Sequence, residues 1–156
     1  RLTYPQLLNS RGGIEADLTV ARIAEDRFYI VTGTGYRTHD LAWIADHIPD
    51  GSDATLTDIT EDWGTLSLMG PKARDVLQAV TDDDVSDDAF PYLAMRDIEI
   101  GLGSARAARV GYVGELGWEL YVPQEYAVHV YDALKEAGEG ADSAKLIRLG
   151  LKELSR

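Results

Sequence analysis

From Ile14 to Val20 the chain alternates, with Ile14, Ala16, Leu18 and Val20 on one side and Glu15, Asp17 and Thr19 on the other. A period of two marks a half-buried strand, because successive side chains leave a pleated backbone on opposite faces. The turn-forming "AEDR" and the apolar "FYIVT" (Phe28 to Thr32) predict the returning arm of a hairpin. The period then changes. Leu41, Ile44, Ala45 and Ile48 recur at helical spacing, with Thr38 placed to cap the helix and Pro49 and Gly51 to close it. "ATLTDI" and "GTLSLMG" read as two further strands. Gly70-Pro71 then opens a helix whose inner face is Ala73, Val76, Leu77 and Val80.

The second half repeats this strand-rich style. Ile98, Ile100 and Leu102 alternate in "RDIEIGLG", and "SARAARVGY" and "GWELYV" read as its partners. A helix from about Glu125 to Ala137 is expected to bury Ala127, Val130, Tyr131 and Leu134 and to end at Gly138. Hairpins mixed with helices, without strict β-α-β alternation, predict an α+β fold of antiparallel sheets with packed helices.

Composition narrows the class. A chain of 156 residues, 45% hydrophobic and 27% charged, suffices for one sizeable globular domain with its own core. No apolar run approaches the roughly 18 residues of a membrane helix, so no membrane partner is expected. A net charge of −12 argues against nucleic acid, whose phosphates need clustered Lys and Arg. Without cysteine there are no disulfides, thiolate nucleophiles or Cys-based zinc sites. The acidic run "TDDDVSDD" (Thr81 to Asp88) lacks the spacing and glycine of a calcium loop and reads as a solvated turn. The chain has no initiator Met and closes on the amphipathic "LIRLGLKELSR" with no stop signal, so both ends read as cuts in a longer protein.

Several motifs fail as sites. Gly33-x-Gly35 lies between a strand and a helix, but Thr38 stands where a dinucleotide fingerprint needs its third glycine. A turn with positive-φ glycines is the better reading. His39, His47 and His129 have no partners at metal-site spacing, so no metal is expected. There is no Gly-x-Ser-x-Gly elbow.

Two acids remain, Asp17 and Glu119. Alternation places both opposite the apolar side of their strands, which by itself describes ordinary solvent-facing residues. Each, however, follows a glycine-containing turn and has tyrosines near it (Tyr4, Tyr112, Tyr121). An acid beside aromatics suits a flat heterocycle presenting N–H donors, since rings stack and a carboxylate accepts two charge-assisted hydrogen bonds.

Three stretches in order, "YPQLLNSRGGIEADLTVARIAEDRFYIVTGTG", "LSLMGPKARDVL" and "GYVGELGWELYVP", closely resemble a known domain. It is the folate-binding domain shared by the glycine cleavage T-protein (an aminomethyltransferase) and the FAD-dependent dimethylglycine and sarcosine dehydrogenases. The resemblance covers essentially the whole chain and implies a partial form of the T-protein folate-binding fold. The T-protein's third motif usually reads G-Y-T-G-E-D-G-F-E and its first carries two consecutive Asp. Leu116, Trp118 and Ala16 depart from that pattern towards the amine-dehydrogenase branch.

The resemblance implies a tetrahydrofolate site. Glu119 falls on the glutamate that binds the pterin's amino and ring N–H groups, Tyr112 on a tyrosine lining that pocket, and Tyr4 on another at its edge. Asp17 falls on the catalytic acid near the folate N5 and N10 nitrogens. Gly33 replaces an asparagine that contacts the pterin, which leaves any cofactor contact there to the backbone. By the same resemblance, a flavin domain in cis holds FAD and oxidises an N-methyl amine. The resulting iminium, or formaldehyde from its hydrolysis, supplies the one-carbon unit that becomes 5,10-methylenetetrahydrofolate. A stand-alone aminomethyltransferase or folate-dependent demethylase, and a non-catalytic folate-binding assembly factor, are the alternatives. The last would carry a Cys-containing signature that this chain lacks. The expected compartment is a bacterial cytoplasm, with a mitochondrial matrix as the other option.

Overall fold

A computed structural model describes residues 1–139 and the backbone strand at 145–149. The described residues fall into two compact units, Arg1–Ile59 and one beginning at Thr60.

The first unit is built of short strands. β1 (Leu2–Thr3) pairs with β4 (Thr19–Arg22), which pairs in turn with β5 (Phe28–Val31), while β2 (Gln6–Leu8) and β3 (Ile14–Asp17) form a separate antiparallel pair. The predicted hairpin is present, its turn closed by the Ile23 and Ala24 N–H groups donating to the Arg27 carbonyl. The alternating run, though, is not one strand. It breaks at Leu18 and its two halves join different sheets, so Ala16 and Leu18 are buried whereas Ile14 is 64% exposed. The helix α1 (Arg37–Asp46) is entered through a 3-10 turn at Thr34–Tyr36, so its N-cap is Tyr36 and Thr38 lies inside it without capping. Its most buried residue is polar: Asp40, 2% exposed, accepts a hydrogen bond from the Thr32 hydroxyl and contacts His39. "ATLTDI" forms no strand.

The second unit carries the apolar core. β6 (Trp63–Met69) is followed by α2 (Ala73–Gln78), and β7 (Met95–Ile100) by β8 (Gly103–Ala108) and β9 (Gly117–Pro123). Then come α3 (Ala127–Gly138) and β10 (Lys145–Leu149). The five strands form one antiparallel sheet in the order β10-β6-β9-β8-β7. One face of the sheet presents Leu66, Leu68, Ile98, Ile100, Trp118, Leu120 and Val122 to Val76 and Leu77 of α2 and Val130 and Leu134 of α3. Removing such side chains from water is what drives strand and helix together. Leu102 was expected to continue the β7 alternation, but the chain turns at Gly101 and leaves it 88% exposed at the hairpin tip.

Candidate functional site

The second and third glycines of "GYVGELGW" are explained by geometry. Gly114 has φ +74°, a conformation that side-chain-bearing residues avoid, and so lets the loop reverse between β8 and β9. Gly117 starts β9 against Met69, where a Cβ would lie 2.6 Å from the Leu68 carbonyl oxygen. With that close approach the register is set: Ser67 lies opposite Glu119, and Thr65 opposite Tyr121. On the other side of β9, Ala108 faces Glu119 and Arg106 faces Tyr121.

Residues directly opposite in a sheet share a face. Glu119, Tyr121, Ser67, Thr65 and Arg106 therefore stand together on the side turned away from the apolar core. Glu119 is half-buried, and the Tyr121 hydroxyl donates to its Oε2 at 2.6 Å. Tyr121 itself is 2% exposed, so this bond is held by packing and fixes the carboxylate's direction. Among the described residues Oε1 receives no hydrogen bond. Arg106 is committed elsewhere, to both carboxylate oxygens of Asp97 at 2.9 and 3.3 Å. Ser67 is 3% exposed, and its Oγ is buried without a hydrogen-bond partner among the described residues. Serine in a strand raises no flag in sequence, and only the register with Glu119 gives it a place.

The other expected residues are placed as follows. Tyr112 sits on the loop before β9 and is 99% exposed, so it packs against nothing in its unit, Glu119 included. Beside it, a pocket of about 250 Å³ is lined by Tyr92, Arg109, Gly114 and Leu116, without Glu119. In the first unit, Asp17 ends β3 opposite Gln6 and is exposed, and Tyr4 is half exposed between β1 and β2. Gly33 corrects the positive-φ expectation. Its φ is −67° and ψ 137°, ordinary extended backbone, and its carbonyl accepts from the Tyr36 N–H at 2.8 Å. A glycine still fits because a Cβ would come to 3.3 Å from the Tyr36 ring.

One polar cluster, and the ion partners of the acidic run, are not legible in the sequence. In the first unit, His39 Nδ1 lies 2.9 Å from Asp40 and Nε2 3.7 Å from Glu15, which also accepts a hydrogen bond from Asn9. Among the described residues, no group of three or more His, Cys, Asp or Glu is arranged to hold a metal ion. In the second unit the acidic run is solvated, with Asp82, Asp84, Asp87 and Asp88 exposed, and it is also a fastener, tied down by ion pairs. Asp87 accepts from Arg74 and Arg109 at 2.6 and 2.5 Å, and Asp83 accepts from the Glu99 N–H at 3.0 Å. Hydrogen bonding from Arg109 holds the Asp87 carboxyl below the usual carboxylate range, and the Ser86 N–H does the same for Asp84. Both guanidinium groups lie over the Trp118 ring, at 5.4 and 5.7 Å, which ties the fastener to the core.

The fold is α+β, with a half-buried acid on the polar face of an antiparallel sheet, and comparison identifies its family. Residues 1–151 match the GCVT N-terminal domain, and the chain belongs to that family. Its relatives include dehydrogenases and oxidases. Dimethylglycine dehydrogenase, mitochondrial, of Homo sapiens is 40% identical over 140 residues, covering 88% of this chain and 16% of the relative. The 4-methylaminobutanoate oxidase (formaldehyde-forming) of Paenarthrobacter nicotinovorans is 41% identical over 139 residues, or 89% and 17%. Sarcosine dehydrogenase, mitochondrial, of Homo sapiens is 38% identical over 149 residues, or 86% and 16%. The chain thus spans about a sixth of the length of these relatives. No described helix is long and apolar enough to cross a membrane.

Proposed function

We propose that this chain is the tetrahydrofolate-binding part of an enzyme moving a one-carbon unit from an N-methyl amine of the dimethylglycine or sarcosine type to tetrahydrofolate. Family membership and the dehydrogenase and oxidase relatives support the reaction class. The observation that carries the site is Glu119, half-buried, aimed by the Tyr121 hydroxyl and keeping Oε1 open. A carboxylate so held accepts paired N–H donors in one plane, which is what an aminopterin edge offers. These residues fit the cofactor.

Bound tetrahydrofolate supplies the nitrogens that take up the one-carbon unit, giving 5,10-methylenetetrahydrofolate. Glu119 anchors the heterocycle through its amino and ring N–H groups, and Tyr121 keeps that carboxylate from rotating. Tyr112 and Tyr4 are assigned as aromatic contacts, and Gly33 as a backbone contact. Asp17 is assigned as the acid that orients N10 and accepts its proton. The oxidation that releases the one-carbon unit is assigned to an FAD domain in cis. The proposed compartment is a bacterial cytoplasm or a mitochondrial matrix.

The test is Glu119→Ala in the full chain. Calorimetry is expected to show tetrahydrofolate binding weakened by about 2 kcal/mol, the usual cost of losing a charged hydrogen-bond partner. Unchanged affinity would sink the pterin assignment.

A further inference from the structure

Of the side-chain N and O atoms in the described residues, two are buried without a hydrogen-bond partner: Trp118 Nε1 and Ser67 Oγ. Trp118 lies on the core face, where its indole is flanked by the Arg74 and Arg109 guanidinium groups. Ser67 is on the opposite face and has no such company. Its residue is 3% exposed, and its strand neighbours Leu66 and Leu68 are core. An orphaned buried hydroxyl is costly, and an alanine of nearly the same size would remove the cost. Ala108, across β9 from Glu119, shows that this row accepts one.

Position supplies the reason for the hydroxyl. Ser67 is the direct cross-strand partner of Glu119, which puts the two Cβ atoms about 5 Å apart on one face. Beside an acceptor carboxylate with an open Oε1 stands a hydroxyl able to donate. A 2-amino-4-oxo ring edge carries the complement in sequence: an amino N–H, a ring N–H and a carbonyl oxygen. We propose that Ser67 is a second binding residue of the Glu119 site, its hydroxyl donating to the ring carbonyl while Glu119 accepts from the two N–H groups. This rests on the pterin reading and adds the feature that separates a 2-amino-4-oxo ring from other N–H donors.

Ser67→Ala in the full chain tests it with two readouts. Removing an unpartnered hydroxyl leaves the ligand-free thermal midpoint unchanged or raises it. Calorimetric affinity for tetrahydrofolate falls about tenfold, the effect of one lost hydrogen bond. Ser67→Cys, of the same shape but a poor donor, shifts affinity in the same direction. Affinity within twofold of the parent for either variant overturns the proposal while leaving the Glu119 assignment intact. A lowered midpoint with unchanged affinity returns the hydroxyl to a structural role. If the parent chain itself binds no tetrahydrofolate, the pterin reading and this inference fall together.

Discussion

Strands β3 and β9 pose the same pattern and resolve it differently. Each sets an acid between apolar neighbours, Asp17 between Ala16 and Leu18, and Glu119 between Trp118 and Leu120. β3 is four residues long and has one partner strand, β2. β9 is seven residues long and lies between β6 and β8 in a five-stranded sheet. Asp17 is consequently exposed at a strand end, whereas Glu119 is half-buried and held by Tyr121. Alternation assigns a face. The number and length of the neighbouring strands decide how deeply that face is buried, and so which acid arrives with a fixed direction.

The largest expected effect tests burial itself. Leu120→Ala, at a position 0% exposed, should cost about 3 kcal/mol in denaturant unfolding, because deletion leaves a cavity under α2 and α3. Ile14→Ala, at an equally apolar alternating position in β3, should stay within about 0.5 kcal/mol. Equal losses would mean that sheet position is not what separates the two strands.

The acids themselves should divide next. Asp17→Asn in the full chain is expected to lower methylenetetrahydrofolate formation about a hundredfold, the scale of a lost proton-transfer group, with a smaller change in folate affinity. Glu119 substitutions should do the reverse and act mainly on affinity. Equal product yield from Asp17→Asn and the parent would remove Asp17 from the chemistry.

Tyr121→Phe is a gentler probe of the fixed direction. It keeps the ring, loses the 2.6 Å bond to Glu119, and should weaken tetrahydrofolate binding by about 1 kcal/mol. No change would show that packing alone aims the carboxylate.

The smallest effect is on pH. Asp84 and Asp87 have carboxyls depressed below their ordinary range by Ser86 and Arg109 respectively. Their support for the fold is therefore complete above that range and is lost as pH falls through it. Asp87→Asn should flatten the acid side of the stability profile slightly, since the group is exposed and screened. An unchanged acid limb would show that the fastener adds nothing.

Much of this was legible beforehand because it is local. The β4–β5 hairpin, the antiparallel second sheet, the inner faces of α2 and α3 and the orientation of Glu119 all follow from periodicities of two and 3.6. What failed depended on neighbours. Ile14 and Leu102 fit an apolar alternation, but a strand break at Leu18 and a turn at Gly101 leave both in solvent. The acidic run is solvated as its composition suggests, but its ion partners Arg74 and Arg109 are separated from Asp87 by 13 and 22 positions in the chain and so are not legible in it.

The amino-acid order by itself thus determined the α+β class, the two periodicities and the family resemblance, since each is written in adjacent residues. Only the tertiary structure decided that Tyr121 would aim Glu119 and that Tyr112 would stand clear of it. It alone set an unpaired Ser67 hydroxyl across from the same acid, 52 positions earlier in the chain. The physical reason is register. A cross-strand pair is set by the turns and packing of whole strands, and no short stretch of chain contains both of its members.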